Sequence, residues 1–379
     1  MKRVLAYDGL RGWLLIVIAC NHLYGGYVTD FTREPLGFVS AAEAFVFLSG
    51  FVAYLVYGRL FDKEQVTEKV VNTKIWHRCF TIYKFHLFTL LFTYLVIWFF
   101  PVFKDLWISF FYTGNLYKDP LSAVALAFVL LEQPGYFDIL IIYLVPMTFL
   151  PFAIKALKQG KVYWVAAISF SVWILAQFVT QDVITYFLQK LLPNFTLQVS
   201  YFDPFAWQWL FYLGVLCSYL RFDEKRSFVF SRVVKGILLA SAFGLMMLKH
   251  LDPSWLGTLY HHQSLGFFFG GGGTVPLIKQ INLLLLAYCF FLTINKFSMV
   301  YTAKYPVYLG QHALPVFAFH TVVVYWLYPL FKGLNTSFWY WDIASCALFI
   351  MLLAIPAKLD EMYRRSREAN DLSSRLNSI

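Results

Sequence analysis

The segment Asp8–Leu23 reads DGLRGWLLIVIACNHL, an apolar run interrupted by Asp8, Arg11 and His22. The spacing of these three residues places them on one stripe of a helix. Arg11 and His22 lie eleven residues apart, which is about three turns and about 16 Å along a helix axis. Ionisable side chains within a lipid-crossing helix usually face a cavity or a partner, so this stripe is the first candidate for function.

Two interpretations of the stripe follow from the residues alone. In the structural one, Asp8 and Arg11 pair near the inner membrane interface and His22 is a packed histidine. In the functional one, the guanidinium of Arg11 binds a phosphate-bearing ligand, and a neutral His22 acts as a general base on a hydroxyl. We favour the functional interpretation because three polar groups share one stripe.

The composition excludes a soluble globule and a disordered chain. Of 379 residues, 60% are hydrophobic and 14% are charged, against about 25% charged in ordinary soluble proteins. The surplus of apolar side chains predicts an all-α polytopic integral membrane protein surrounded by lipids. The net charge of +10 is then explained by cytoplasmic loops rich in Lys and Arg rather than by a nucleic-acid partner.

The apolar runs predict about ten transmembrane helices, because a crossing needs roughly 20 mostly apolar residues. An eleventh run at 121–132 is short, and we expect it to form a re-entrant or interfacial helix. The ten predicted spans are 9–27, 41–60, 79–101, 136–157, 161–179, 204–221, 235–250, 275–295, 306–331 and 338–357.

The placement of cations predicts the orientation. Lys and Arg cluster at the amino terminus, after the even-numbered spans and in the tail. The positive-inside rule then puts both termini in the cytoplasm. We expect a transmembrane domain over 1–357, a basic cytoplasmic tail over 358–379, and a location in a bacterial inner membrane.

Further polar residues lie at span ends predicted to be outside, and one lies at mid-depth. Glu43 begins the second span, Asp138 follows a Pro-Gly turn, and Asp203 and Gln208 stand at the entrance of the sixth span. His320 lies in the middle of the ninth span. These five are candidate substrate-binding residues. Alternatively Glu43 lies among lipid headgroups, and His320 is a hydrogen-bonded core histidine.

The sequence contains no HExxH, CxxC or phosphate-binding glycine motif. We therefore expect no metal.

Five segments together resemble one family. They are DGLRGWLLIVIACNHL (Asp8–Leu23), AAEAFVFLSGFVAYLVYG (Ala41–Gly58), PGYFDILIIY (Pro134–Tyr143), FDPFAWQWLFYLG (Phe202–Gly214) and YLGQHALPVFAFHT (Tyr308–Thr321). The chain resembles the OpgC family of osmoregulated periplasmic glucan succinyltransferases, which is similar to the broader membrane acyltransferases that include acyltransferase family three.

The resemblance implies that an acyl group passes from cytoplasmic acyl-CoA, here succinyl-CoA, to a sugar hydroxyl outside the membrane. It implies that Arg11, beside Asp8, helps to hold the CoA and that His22 is the catalytic base. Asn21 would orient the donor or the oxyanion. The acceptor would be a periplasmic glucan or another envelope glycan.

Two other functions remain open from the sequence. A transporter or flippase for a glycan or lipid-linked sugar would have a similar cavity but would consume no thioester. A scaffold subunit of an envelope glycan complex would bind no CoA.

Overall fold

The computed structural model describes residues 4–23, 26–178, 181–195, 197, 199–225, 230–251, 266–269, 273–333 and 338–376. Within these ranges, all of the regular secondary structure is helical. The chain forms two compact units: Met1–Arg33 with Thr293–Ile379, and Glu34–Leu292.

A short 3-10 turn at Pro101–Phe103 accompanies the α-helices. In chain order the described α-helices are α1 (Leu5–His22), α2 (Tyr27–Thr32), α3 (Ala41–Phe61), α4 (Glu68–Phe99), α5 (Lys104–Phe111), α6 (Gly114–Lys118), α7 (Pro120–Phe128), α8 (Asp138–Lys158), α9 (Val162–Phe178), α10 (Gln181–Leu191), α11 (Pro204–Phe222), α12 (Arg232–Leu251), α13 (Gly266–Phe269), α14 (Leu277–Thr293), α15 (Ser298–Tyr301), α16 (Lys304–Gln311), α17 (Ala313–Gly333), α18 (Trp339–Leu352) and α19 (Ala354–Leu376).

Over the residues that the structure describes, the protein is an all-helical membrane protein. Within the described ranges, 6 helical stretches are long and apolar enough to cross a membrane, or up to 7 if a bent pair counts as one span. Helix α9 also exposes Tyr163, Trp164 and Phe178 by 68% or more, as a lipid-facing surface would. The stretches are Ala41–Phe61, Glu68–Phe99, Asp138–Lys158, Arg232–His250, Ala313–Lys332, Trp339–Asn370 and the bent pair Val162–Phe178 with Val183–Leu191.

The remaining predicted spans are also helical but are shorter or more polar. Helix α1 is 18 residues long and carries Asp8 and Arg11, and α14 has only 17 residues. The run at 121–132 forms the nine-residue helix α7, which is too short to span, as expected. The count of ten spans stays a prediction.

The predicted ninth span, 306–331, is two helices. Helix α16 ends at Gln311, His312 has non-helical backbone angles, and α17 begins at Ala313. A proline within an apolar span predicts a kink, and Pro315 is such a residue in this predicted span. The break lies at His312 instead, and Pro315 falls in the first turn of α17, where a missing N–H is tolerated. The predicted tail from residue 358 begins inside α19, which continues to Leu376.

In the unit Glu34–Leu292, α3 and α11 approach until their backbones touch. A β-carbon on Gly50 would lie 1.9 Å from the Phe211 carbonyl oxygen, and one on Gly214 would lie 2.0 Å from that of Phe47. Small residues permit such close packing of membrane helices. Helix α8 packs beside this pair and beside α4.

The other unit is built around α1. The Trp13 indole donates to the Val300 carbonyl at 3.0 Å, while α16 docks on α19 through the 2.6 Å contact of His312 with Asp360. The short helix α2 folds back beside α1, and its Val28 N–H donates to the buried carboxylate of Asp342 at 2.6 Å. That bond satisfies one of the orphan donors at the start of α2.

Candidate functional site

Two imidazoles meet in the unit that contains both chain ends. Nδ1 of His22 lies 2.9 Å from Nε2 of His320, and the rings stack with centroids 5.0 Å apart. His320 is 2% exposed. A hydrogen bond between two imidazoles needs one nitrogen without a proton, so at least one ring is neutral. A neutral imidazole is what general-base chemistry requires, and the pair contains at least one.

One continuous helix carries Asp8, Arg11 and His22, as the stripe predicted. Arg11 is half-buried and Asp8 is buried. His22 is the last residue of α1. The negative end of the helix dipole lies there and favours a cation, so it would stabilise an imidazolium at His22. The donor-binding roles of Arg11 and Asp8 stay predictions.

The amide of Asn21 is engaged with the end of α2. The Thr32 hydroxyl donates to its Oδ1 at 2.5 Å, and its Nδ2 donates to the Thr32 carbonyl at 3.4 Å. These bonds tie α2 to the helix end that carries His22. They give Asn21 a structural role. Its catalytic role stays a prediction.

Glu43 is buried and belongs to a chain of ion pairs. One of its oxygens caps the start of α3 with Ser40 in a capping box. The other accepts a bond from Nζ of Lys279 at 2.6 Å, and Lys279 also reaches Glu34 at 3.0 Å. Lys249 pairs with Glu34 in turn. The structure thus neutralises Glu43 within its own unit.

Asp138 and Asp203 lie at helix starts and both take part in the turn at 199–203. The Ser200 hydroxyl donates to Asp138 at 3.1 Å, and the Phe202 N–H donates to Ser200 at 2.9 Å. Asp203 is the N-cap of α11 and accepts from the Phe205 N–H at 2.8 Å. The Asp138 carboxylate therefore helps to order the segment 199–203, and the Asp203 carboxylate caps α11. The substrate-binding role of both stays a prediction.

Gln208 joins α11 to α9. Its Nε2 donates to the Ser169 carbonyl at 2.8 Å, and its Oε1 accepts from the Ser169 hydroxyl at 2.6 Å. On the same helix, the Trp209 indole donates to Gln280 at 2.8 Å. Of the predicted site residues, the structure brings His22 and His320 into direct contact, while Gln208 lies in the other unit and is bound to α9.

The sequence did not identify two buried residues that hold parts of the candidate site and its surroundings in place. Lys279 holds Glu43, and it was detectable as a cation inside the predicted span 275–295, where a buried partner is the usual explanation. Asp342 holds α2, but nothing in its local sequence indicates a partner more than 300 residues away. Across the described ranges, no three His, Cys, Asp or Glu side chains gather in a way that could hold a metal ion.

These features define an all-helical membrane protein with a hydrogen-bonded histidine pair at the end of its first helix. The chain belongs to the OpgC family, because the family model described as "OpgC protein" matches residues 3–365, nearly the whole chain. A search of curated proteins and a search of solved structures each found no match.

Proposed function

We propose that the protein is a membrane O-acyltransferase that moves a succinyl group from cytoplasmic succinyl-CoA to hydroxyls of a periplasmic glucan or another envelope glycan. The observation that carries the proposal is the OpgC family match over residues 3–365. The hydrogen-bonded pair of His22 with the buried His320 supports it. The proposal includes a bacterial inner membrane, ten spans and both termini in the cytoplasm.

The reaction needs a base because a sugar hydroxyl is a poor nucleophile at neutral pH. His22 takes the hydroxyl proton as the oxygen attacks the thioester carbonyl carbon. The carbon–sulfur bond breaks, the imidazolium returns the proton to the departing thiolate, and an ester and free CoA result. Direct transfer leaves no acyl group on the protein, whereas an acyl-enzyme would be trapped by rapid quenching with labelled donor.

Arg11 lies on the same helix as His22, about 16 Å away along its axis by the rise per residue. In the proposal, its fork of donors holds phosphate groups of the CoA at the inner side, and the extended pantetheine arm brings the thioester to His22. In the proposal, donor and acceptor approach His22 from opposite faces of the membrane.

The test uses purified protein, succinyl-CoA labelled in the acyl group, and unsubstituted glucan. Wild-type protein should transfer label to the glucan and release CoA thiol. His22→Ala should lower the rate by about 10²- to 10⁴-fold, the usual contribution of a positioned general base. His77→Ala, at an exposed histidine of α4, is the matched control and should keep wild-type activity.

Wild-type transfer by a well-folded His22→Ala protein would refute the role of His22. Movement of glycan across vesicles without thioester consumption would instead support the transporter.

A further inference from the structure

The hydrogen bonds around the two histidines run in one direction. His320 Nδ1 bonds to the carbonyl oxygen of Phe317, one turn earlier in α17. A carbonyl oxygen can only accept, so Nδ1 of His320 carries a proton. In a neutral imidazole the other nitrogen then carries none, and Nε2 of His320 is the acceptor toward His22.

The direction decides the tautomer of His22. Because Nε2 of His320 accepts, Nδ1 of His22 must be the donor across the 2.9 Å contact. In neutral His22 the proton-accepting nitrogen is then Nε2. The opposite order would need a cationic His320, and a charge at a side chain that is 2% exposed is costly when its two nitrogens bond only to a carbonyl and an imidazole.

We propose that His320 is the positioning residue of the reaction: it fixes His22 in the Nδ1–H tautomer and aims its Nε2 at the acceptor hydroxyl. This inference rests on the proposed function for its catalytic meaning. It replaces the expectation that His320 contacts substrate. His320 does not exchange a proton with the substrate but accepts a bond from His22 throughout.

The surroundings hold His320 rigidly enough for this task. The Phe317 ring meets the His320 ring edge-on with centroids 4.6 Å apart. The Thr321 hydroxyl donates to the same Phe317 carbonyl at 3.1 Å. Neutral His320 also stabilises the imidazolium that forms on His22. The bond from Nδ1–H of His22 to Nε2 of His320 strengthens when the His22 ring becomes charged.

The first experiment reads the tautomer directly and needs no acyl donor. Nitrogen NMR of the full chain labelled with ¹⁵N-histidine is recorded in detergent, and the His22 signals are assigned by their loss in His22→Ala. Wild-type His22 should show a protonated Nδ1 and an unprotonated Nε2. In His320→Leu the signals should shift toward a mixture or toward the Nε2–H form. A protonated Nε2 on neutral wild-type His22 would overturn the inference.

The second experiment separates positioning from substrate contact. His320→Leu should lower kcat by about 10- to 100-fold, less than the loss of the base itself, and leave the KM for the glucan unchanged. His320→Gln should restore part of kcat because its amide oxygen accepts a bond. His77→Leu, at an exposed histidine of α4 that takes no part in the pair, is the matched control and should keep kcat.

The outcomes are distinguishable from those of the proposed function. A raised glucan KM with unchanged kcat in both His320 variants would make His320 a substrate contact and overturn the inference. If His22→Ala remained active while the wild-type tautomer was as described, the catalytic proposal would fail and the hydrogen-bond order would stand. If His320→Leu fails to fold, His320→Gln and the wild-type spectrum still decide.

Discussion

The backbones of α1 and α16 touch at Gly12 and Pro306: a β-carbon on Gly12 would lie 1.8 Å from the Pro306 carbonyl oxygen. The relationship is reciprocal, because a β-carbon on Gly310 would lie 1.8 Å from the carbonyl oxygen of Asp8. The absence of side chains at these two glycines thus sets how closely α1 and α16 approach. Arg11 lies beside Gly12, so the same contact positions the proposed donor-binding residue.

Gly12→Ala should therefore push α1 away from α16. The contact is with backbone, which cannot rotate aside, so we expect a loss of at least about 1–3 kcal/mol of stability, as for overpacked cores, and loss of transfer. Gly236→Ala in α12 is the matched control, because nothing lies within 4 Å of its β-carbon position. It should be neutral or stabilising by up to about 1 kcal/mol. Unfolding in detergent measures both, and equal stability of the two variants would contradict the contact.

The buried pair of Lys279 and Glu43 gives a second prediction. Lys279→Met should destabilise the protein by about 3–5 kcal/mol, because it leaves the carboxylate of Glu43 buried without its cation. Glu43 is 2% exposed and Lys279 is 7% exposed. Lys161→Met, at an exposed lysine, should change stability by less than about 0.5 kcal/mol.

Glu43→Gln separates a structural role from substrate binding. The amide keeps part of the cap on α3 but loses the ion pair, so it should lower stability and leave the glucan KM unchanged. Normal stability with a raised KM would instead support the predicted contact of Glu43 with substrate.

Spacing within one helix was enough to predict the stripe of Asp8, Arg11 and His22, since 3.6 residues per turn fix which side chains share a face. Spacing could not predict that His22 meets His320, because the two residues are 298 positions apart and a helical face does not specify its partner. The ion pair of Lys279 could be predicted in part. A cation inside an apolar run indicates a counterion, but the sequence does not say which carboxylate supplies it.

The helix break at His312 is a second feature that the local sequence does not predict. Pro315 removes one helical hydrogen bond, and the chain can absorb that loss by kinking or by starting a new helix upstream. The sequence favours neither. In the structure a new helix begins at Ala313, and His312 at the break contacts Asp360 of α19. The choice depends on this tertiary contact, which local propensity does not contain.

The predicted topology can be tested by labelling in intact cells. In a chain whose native cysteines are replaced, Gln65→Cys lies in the exposed loop between α3 and α4 and should react only after the cytoplasm is opened. Asp105→Cys, at an exposed position of α5, should react from outside and is the control for access. A tag after residue 379 should be cytoplasmic. Labelling of the Gln65→Cys variant from outside would overturn the ten-span orientation.

The last prediction concerns Arg11 and the donor. Arg11→Ala should weaken binding of a non-transferable succinyl-CoA analogue by about 10- to 100-fold, because a hydrogen bond to a charged group contributes about 1.5–3 kcal/mol. Arg11→Lys should recover little, since a lysine ammonium lacks the planar fork that matches a phosphate. Calorimetry on the purified variants gives the affinity, and His22→Ala should bind the analogue normally.

Arg367→Ala, at an exposed arginine of α19, is the control for a general loss of positive charge and should bind the analogue as the wild type does. Unchanged affinity in Arg11→Ala, together with a lower unfolding temperature, would assign Arg11 to a structural pair with Asp8. The phosphate contacts would then have to come from other cations, and the continuous helix from Arg11 to His22 would no longer link donor binding to the base.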